Sequence, residues 1–413
     1  MHCLSATKSK LKTFNNETTM NNIPKPQSST LSVHAGEEHS LAERSTQVPV
    51  FLTAAYGYDN LDEWLDAALG KAPGHIYSRN TNPTVAAFEE KVRQLEFAEA
   101  ATSFATGMAA ISNTLLTLLS PGERVISIKD TYGGTNKLFI EFLPRFQIGV
   151  ELCATGDADA VEAEIARGCR VVYLETPTNP TLKVVDIARL SCAAHKAGAI
   201  VVVDSTIGTP INQNPLPLGA DLVIHSATKF LGGHADALGG VLCGNADLVA
   251  QVYHYREING ASLDPMSAYL LLRGMKTLEL RISRQNESAM RIARWLEAHP
   301  AVESVNYPGL ESSPSHAIAK QQMRGYGGML SFAMKGGFEA VRTVLPRLQY
   351  AHLAANLGAV ETIAGPPATT SHVEETAEER AAMGIPEGLI RYSVGIEAVE
   401  DLIADLENAL AAV

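Results

Sequence analysis

A short segment that begins at Ser226 carries the side chains with the clearest potential for chemistry. Ser226, Thr228 and Lys229 follow Leu222–His225, an apolar run with the composition of a buried strand. Two hydroxyls and one amine on a tight loop can bind a phosphate group and offer a nucleophilic nitrogen. Taken alone, the segment could equally be a loop with a solvent-exposed lysine.

Two further positions lie at the ends of apolar or helical patterns. Asp204 closes the apolar run Ala199–Asp204, and Gly107 begins a helix-like stretch over 107–119. An acid in this place often caps a helix or forms a turn, and a glycine at a helix start is often structural. A helix start also presents free N–H groups, which suit an anion.

Together these positions supply the parts that pyridoxal 5'-phosphate (PLP) requires. The Lys229 amine can form a Schiff base with an aldehyde, which a guanidinium cannot do. A buried acid such as Asp204 can keep the pyridine nitrogen of PLP protonated, so that the ring acts as an electron sink. The hydroxyls beside Lys229 and the helix start at Gly107 would hold the phosphate. The combination therefore predicts a PLP site.

The elements that must position these residues alternate along the chain. Helical patterns lie near 84–100, 107–119, 135–145, 157–167 and 186–197, and strand-like runs lie at Arg124–Ile128, Arg170–Glu175, Ala199–Asp204, Leu222–His225 and Leu238–Cys243. The runs are continuous in Val and Ile, as expected of strands that helices cover on both faces. We predict a doubly wound, mostly parallel α/β sheet, whose ligand binds beyond the carboxyl ends of the strands.

The rest of the chain predicts a second, smaller domain. A helical pattern from Pro265 to about Leu296 would connect it to the first domain. A strand at Met329–Ala333, helices near 338–348 and 397–411, and a Gly- and Pro-rich loop at 364–372 follow. This mixture is typical of an α+β domain.

Composition argues against several kinds of partner. The 33 Lys and Arg residues and the 45 Asp and Glu residues give a net charge of -12, the wrong sign for nucleic acid or an anionic membrane. The five cysteines lie far apart without a C-x-x-C pair, so we expect neither a disulfide framework nor a metal site. A reducing, cytoplasmic location fits this usage. No apolar stretch approaches the length of a membrane span. A small-molecule partner is favoured.

Several motifs extend the pattern around Lys229. They are Tyr77-Ser78-Arg79, Asn82-Pro83-Thr84, Gly107-Met108-Ala109-Ala110, Tyr132-Gly133-Gly134-Thr135, Glu175-Thr176-Pro177-Thr178-Asn179-Pro180, Val203-Asp204, Ser226-Ala227-Thr228-Lys229-Phe230 and Arg391-Tyr392-Ser393-Val394-Gly395-Ile396-Glu397. From about Ser32 to the C-terminus the sequence resembles the Cys/Met metabolism PLP-dependent enzymes, which include cystathionine γ-synthases and γ-lyases, O-acylhomoserine sulfhydrylases and methionine γ-lyases. The resemblance implies PLP-dependent transferase fold type I.

The same resemblance implies how the cofactor is held. Lys229 would carry the cofactor and shuttle protons, with Asp204 on the pyridine nitrogen. Tyr132 would stack on the ring and assist proton transfer to the leaving group, and Asn179 would lie near the 3'-oxygen. The phosphate would be bound by Gly107, Met108, Ser226, Thr228, Tyr77 and Arg79.

In this family Tyr77 and Arg79 would reach the phosphate from a neighbouring subunit. The resemblance thus implies shared active sites and a homotetramer, a dimer of dimers. It also suggests the domain boundaries: a segment over 31–75 that reaches the neighbouring subunit, a PLP-binding α/β domain over 76–270, and a connector helix with the C-terminal α+β domain over 271–413. Residues 1–30 would form a disordered arm outside the resemblance, with Met20 as an alternative start.

The substrate side departs from the cystathionine enzymes. Arg391 would bind the substrate α-carboxylate through its planar guanidinium. Lys137 stands where these enzymes often have Arg, and Ala355 where they have a Glu that helps to receive the charged distal end of cystathionine. Asn356 and the Leu-Gly after it look closer to O-acylhomoserine sulfhydrylases. Methionine γ-lyases typically carry Cys at the position of Gly134.

We therefore predict γ-elimination or γ-replacement on a γ-substituted L-amino acid. An O-acylhomoserine is the leading substrate, and cystathionine or another γ-heteroatom amino acid stays open. A PLP aminotransferase would need the same Lys229 and Asp204, but the Tyr132 and Tyr77 motifs disfavour it. A conventional cystathionine γ-synthase or γ-lyase of transsulfuration is the other alternative. The sequence does not separate elimination from replacement.

Overall fold

The computed structural model describes residues 26–37, 45–370, 372–373 and 376–413. Its strands are β1 (Ala100–Phe104), β2 (Arg124–Ile128), β3 (Gly149–Cys153), β4 (Val171–Glu175), β5 (Ile200–Asp204), β6 (Leu222–Ser226), β7 (Gly240–Gly244), β8 (Val302–Asn306), β9 (Met329–Met334), β10 (His352–Leu353), β11 (Ile363–Gly365) and β12 (Leu389–Ser393).

The helices include several very short ones. They are α1 (Ser28–His34), α2 (Leu61–Ala68), α3 (Pro83–Leu95), α4 (Gly107–Leu118), α5 (Gly133–Lys137), α6 (Ala158–Ala166), α7 (Ile187–Lys196), α8 (Thr209–Asn212), α9 (Ala246–Asn259), α10 (Pro265–Met275), α11 (Leu278–Glu297), α12 (His316–Gln322), α13 (Gly337–Val344), α14 (Ala377–Ala382) and α15 (Val399–Leu410). None of the described helices is long and apolar enough to cross a bilayer.

The larger sheet has seven strands in the order β1-β7-β6-β5-β4-β2-β3. The five strands from β6 to β3 are parallel, whereas β7 is antiparallel to both of its neighbours. Apolar residues of α4 and α9 pack on one face, and those of α3, α6, α7 and α10 pack on the other. Because both faces are covered, the central strands are apolar throughout. The predicted doubly wound, mostly parallel sheet is confirmed.

The smaller sheet has five strands in the order β10-β11-β12-β9-β8, and all neighbours are antiparallel except β10 and β11. Its core includes Phe332 of β9 and Ile390 of β12, together with apolar residues of α11, α13 and α15. This arrangement is the predicted C-terminal α+β unit. Arg391 lies on β12, so this sheet brings the predicted substrate-binding arginine to the site.

Several predicted boundaries are wrong. The pattern over 84–100 is helical only to Leu95, because the chain then turns and begins β1 at Ala100. The helix over 135–145 is three short pieces, α5, a π-helical turn over Leu138–Phe142 and a 3-10 turn over Leu143–Phe146. The last strand of the first series begins at Gly240, not at Leu238.

The first and last parts of the chain also differ from the predictions. Most of the arm predicted over 1–30, including Met20, lies outside the described residues, but Ser28 already begins α1. The sequence patterns missed β1, β3, β8, β10, β11 and β12, of which β11 overlaps the predicted loop over 364–372, and they missed the long helix α9. β1 and β3 are short and only partly apolar, so local composition marks them weakly.

The predicted connector helix is two helices, α10 and α11, separated by Lys276 and Thr277. Residues on both sides of this break contact the loop that carries Lys229. A side chain at Gly274 would place its Cβ 2.0 Å from the Gly232 carbonyl oxygen. Buried Arg281 donates to the Phe230 carbonyl at 2.8 Å and to those of Leu231 and Gly274 at 3.1 and 3.0 Å. These contacts fix the chain just after Lys229.

Candidate active site

A cleft of about 290 Å³ lies between the two sheets, beyond the carboxyl ends of β4, β5 and β6. The larger sheet and α4 form one wall, and residues next to β10, β11 and β12 form the other. The cleft is lined by Thr106, Gly107, Met108, Ile111, Tyr132, Glu175, Pro177, Asn179, Asp204, Thr206, Ile207, Ser226, Thr228, Lys229, Leu238, Ala355, Asn356, Leu357, Thr370 and Arg391. Eleven of the fourteen predicted site residues are therefore close together in this cleft.

Lys229 lies at the centre of the cleft. Its Nζ donates to Oδ1 of Asn356 at 2.7 Å, a bond that joins the two walls. Burial lowers the pKa of the Lys229 amine to about 8, and the positive charge of Arg391 contributes in the same direction. The amine is therefore much easier to deprotonate near neutral pH than an ordinary lysine, as a nucleophile or base must be.

Asp204 and Glu175 form a buried pair of carboxyl groups on neighbouring strands. The two residues are in register between β5 and β4. Asp204 accepts from the Thr206 amide at 3.0 Å and from the Tyr173 hydroxyl at 3.3 Å. Burial raises the pKa of Asp204, and it raises the pKa of Glu175 well above its usual range, with the charge of Asp204 adding to the latter shift. Each carboxyl group is therefore more readily protonated than an exposed one.

The start of α4 meets the loop of Ser226 at very short range. A Cβ at Gly107 would lie 2.7 Å from Cβ of Ser226 and 2.8 Å from its Oγ, so the approach requires glycine. The Thr106 side chain caps the helix by accepting from the Ala109 amide at 3.0 Å. The amides of Gly107 and Met108 lie in the first turn, where a helix offers no acceptor. The arrangement can bind an anion.

Two polar atoms in the cleft are buried without a hydrogen-bond partner among the described residues, Oδ1 of Asn179 and Nε of Arg391. Nη2 of Arg391 donates to the Asn356 carbonyl at 2.9 Å, which orients the guanidinium. Burial lowers the pKa of Arg391 to about 10, so the group stays charged near neutral pH. Because an unpaired buried polar group costs free energy, both atoms indicate a place for a ligand.

Tyr132 lies at the mouth of the cleft, with 45% of the residue exposed. Its amide donates to Oε2 of Glu175 at 2.7 Å, which fixes the backbone before α5. A side chain at Gly134 would place its Cβ 2.8 Å from Cε1 of Tyr132 and 3.0 Å from Sδ of Met108. The tyrosine ring therefore occupies this position because residue 134 has no side chain.

Three predicted site residues do not line the cleft: Tyr77, Arg79 and Lys137. Arg79 lies over the Tyr77 ring, 5.0 Å from its centroid, and Nε of Arg79 donates to the Glu257 carbonyl at 2.9 Å. Tyr77 is 42% exposed. The contribution of these two residues to a neighbouring subunit stays a prediction. Lys137 ends α5, one turn after Tyr132.

The sequence analysis missed Glu175 and Thr370 as cleft residues. Glu175 could have been found, because it ends an apolar strand just as Asp204 does. Thr370 follows a 3-10 turn of the second sheet region, and no local pattern marks it as part of a site. Its place in the cleft results only from how the two sheets pack.

A family model matches residues 29–411, nearly the whole described chain; its description is Cys/Met metabolism PLP-dependent enzyme. The chain belongs to this family. The resemblance inferred from the motifs is confirmed, and with it fold type I, the PLP cofactor and an enzymatic function on amino acids.

Similar proteins carry out related reactions. An L-methionine gamma-lyase of Fusobacterium nucleatum subsp. polymorphum is 43% identical, over 92% of this chain and 97% of the relative. An O-succinylhomoserine sulfhydrylase of Pseudomonas aeruginosa is 40% identical, over 93% and 95%. The crystal structure of a cystathionine gamma synthase from Xanthomonas oryzae pv. oryzae in complex with cystathionine has a TM-score of 0.89 at 36% identity, and covers 94% of this chain and 99% of that chain.

These relatives confirm the predicted reaction class, γ-elimination or γ-replacement on a γ-substituted amino acid. They do not show which reaction of this class the chain catalyses, because its sequence identity to a lyase and to a sulfhydrylase is nearly the same, 43% and 40%. The residues that line the cleft, and not overall sequence identity, must therefore determine which substrate is accepted.

Proposed function

We propose that the enzyme acts on an O-acyl-L-homoserine, with Lys229 as the cofactor-bearing residue and Arg391 as the group that binds the substrate α-carboxylate. The observation that carries this proposal is the convergence of both side chains on one cleft, where Lys229 bonds to the side chain of Asn356 and Arg391 to its carbonyl. In this arrangement a bound amino acid would have its carboxylate at Arg391 and its α-carbon within reach of the amine.

The residues present fit PLP. The amides at the start of α4, with Ser226 and Thr228, suit its phosphate, and the unpaired Oδ1 of Asn179 supplies a partner near the ring. Asp204 would face the pyridine nitrogen. When bound, PLP supplies an electron sink that stabilises negative charge developing on the substrate carbons. The Thr228 hydroxyl accepts from the Gly239 amide at 3.0 Å and donates to the Gly239 carbonyl at 3.3 Å, so it would turn its proton from that carbonyl to the phosphate.

The proton transfers fall to two residues on opposite sides of the substrate. Lys229 would remove the proton from Cα, since burial and Arg391 lower the pKa of its amine to about 8. The Tyr132 hydroxyl would assist the leaving group at Cγ, where the cleft opens to solvent. Lys137, one turn after Tyr132, does not line the cleft, and its predicted part in substrate binding stays a prediction.

A neighbouring subunit would complete the site through Tyr77 and Arg79. Both lie outside the cleft of their own chain, and Tyr77 is largely accessible. Exposed apolar side chains on α2, among them Leu61, Trp64 and Leu65, support burial of this region in a homotetramer. With four of the five cysteines described as free thiols, we place the enzyme in the cytoplasm.

The substrate is tested by incubating the purified enzyme with cystathionine, O-acetyl- and O-succinylhomoserine, methionine and a γ-guanidinooxy amino acid. Products are identified by mass spectrometry, with and without an added thiol, so that replacement is separated from elimination. We expect the highest kcat/KM with an O-acylhomoserine. Faster turnover of cystathionine than of every other substrate would instead identify a conventional cystathionine enzyme.

The same assay tests the aminotransferase alternative. In a half-reaction an aminotransferase converts its amino acid to a 2-oxo acid and keeps the amino group on the cofactor. We expect free ammonia or a γ-replaced product instead. Accumulation of the amino form of the cofactor with stoichiometric 2-oxo acid would contradict the proposal.

A further inference from the structure

A second depression of about 510 Å³, the acyl groove, adjoins the active-site cleft. Ala355 and Thr370 line both the cleft and the groove, so the two adjoin at these residues. The groove is lined by Phe338, Val341, Arg342, Leu345, Pro346, Leu353, Ala354, Ala355, Ala364, Gly365, Pro366, Thr369 and Thr370.

The walls of the acyl groove are apolar. Phe338, Val341 and Leu345 come from α13 and the turn after it, and Leu353 of β10 is 56% exposed. Both threonine hydroxyls bond to the Pro366 carbonyl, Thr370 at 2.9 Å and Thr369 at 3.4 Å, so they are satisfied within the wall. An apolar chain would cover this surface at a gain in free energy.

Arg342 is the only residue with a charged side chain among the described residues that line the groove. Its guanidinium carbon lies 5.0 Å from the centroid of the Phe338 ring. Its ionic contact to Glu339 is long, 3.8 Å, and both side chains are well exposed. Such a pair contributes little free energy, so the guanidinium can bind another anion at low cost.

We infer that the acyl groove receives the distal part of the γ-substituent, and that it favours an acyl chain with a terminal carboxylate. This inference rests on the proposed function and names its substrate class. We expect the passage between the two cavities at residue 355, because this residue lines both and, as alanine, contributes only a methyl group there. The chain atoms would lie along Leu353 and Phe338, with the carboxylate at Arg342. Phe338 and Arg342 thus act in specificity and not in the chemical step.

Three esters of L-homoserine separate the parts of this inference. The acetyl ester is too short for the groove, the butanoyl ester offers an apolar chain, and the succinyl ester adds the terminal carboxylate. We expect kcat/KM of the holoenzyme to rise along this series. Ala355→Leu, which narrows the passage, should lower kcat/KM for both longer esters relative to the acetyl ester.

Two arginine variants test the charge. Arg342→Gln should lower the succinyl-to-butanoyl ratio of kcat/KM about tenfold, the effect of losing one charge-assisted contact. Arg347→Gln is the matched control, because Arg347 lies just after α13, is exposed and does not line the groove. Its ratio should equal that of the wild type.

The possible outcomes distinguish the groove from the proposed function. Turnover of all three esters with ratios that neither Ala355→Leu nor Arg342→Gln changes would overturn the groove alone. Inactivity on all three esters, together with turnover of cystathionine or methionine, would overturn the acyl substrate and the groove together. An equal fall of the succinyl-to-butanoyl ratio of kcat/KM in Arg342→Gln and Arg347→Gln would show a general effect of surface charge. It would also reject the groove.

Discussion

The two walls of the active-site cleft are built differently. On the wall of the larger sheet the carboxyl groups of Asp204 and Glu175 are buried and hydrogen-bonded to the backbone. On the wall of the smaller sheet Ala355 is exposed, Asn356 is half-buried, and Nε of Arg391 lacks a partner among the described residues.

The two walls therefore differ in how much a substitution would cost in stability. Replacing Asp204 or Glu175 by an apolar residue would leave buried hydrogen-bond donors unpaired, which costs about 1–3 kcal/mol. A change at Ala355 breaks no hydrogen bond of its side chain. The wall of the larger sheet, which we propose holds the cofactor, is thus constrained, whereas Ala355 on the other wall can change at little cost in stability.

The largest expected effect is at Lys229. Lys229→Ala should abolish turnover and remove the cofactor that borohydride fixes to the wild-type protein, because no other side chain of the cleft offers an amine. Absorbance spectra and peptide mapping after reduction measure both. Lys196→Ala, at an exposed position of α7, is the control and should behave as the wild type. Reduced cofactor on a different lysine would falsify the assignment.

The second prediction tests whether the cofactor wall includes a neighbouring subunit. Arg79→Ala should weaken PLP retention, since a guanidinium–phosphate contact is charge-assisted. Mixing Arg79→Ala with Lys229→Ala under subunit exchange should restore activity, because one site of each hybrid dimer then has both residues intact. A mixture of Asp204→Asn with Lys229→Ala should stay inactive, since both residues belong to the same wall. Full activity of a monomer contradicts the shared site.

The third prediction concerns the opposite wall. Ala355→Glu should raise kcat/KM for cystathionine relative to an O-acylhomoserine by about tenfold, as one charge-assisted contact to the distal ammonium is gained. Ala354→Glu is the matched control, because Ala354 is also exposed but lines only the groove. Steady-state rates with both substrates decide the matter, and equal ratios in the two variants would count against a distal subsite at Ala355.

The smallest expected effect is a shift in the pH dependence of PLP capture. It tests how the charge of Arg391 on one wall acts on Lys229 on the other. Only the neutral amine of Lys229 can attack the aldehyde of PLP, so the rate at which the apoenzyme captures PLP should rise with pH and level off above about 8. Arg391 lowers the pKa of Lys229 through its positive charge. Arg391→Gln should therefore move the midpoint to higher pH. An unchanged midpoint, measured by stopped-flow absorbance, would show that burial alone sets the pKa.

Local patterns in the sequence predicted that the residues on the wall of the larger sheet lie together, whereas their roles toward the cofactor stay predictions. The strands ending at Asp204 and before Lys229 are continuous apolar runs, so their positions and their polar ends can be read directly. Glu175 ends such a strand too and could have been included by the same rule. On this wall the polar residues lie at the ends of strands, and apolar runs in the sequence predict where those strands end.

The motifs also identified Arg391 and Asn356, but only through the resemblance to a family. The strand that carries Arg391 was not predicted, because β12 mixes apolar and polar residues that are all buried between elements far apart in the sequence. The break between α10 and α11 was missed for a related reason. It depends on Arg281 meeting the carbonyls of Phe230 and Leu231, a contact no local pattern contains.

By itself the sequence determined the doubly wound sheet, the lysine and acid at its strand ends, and the family. These follow from hydrophobic periodicity and residue chemistry, which are local properties. Only the tertiary structure placed Ala355 and Thr370 between the cleft and the acyl groove, and Gly107 against Ser226. The physical reason is that the cleft joins segments more than one hundred residues apart, such as Gly107 with Ser226 and Lys229 with Asn356, and its geometry results from how the two sheets and their helices pack.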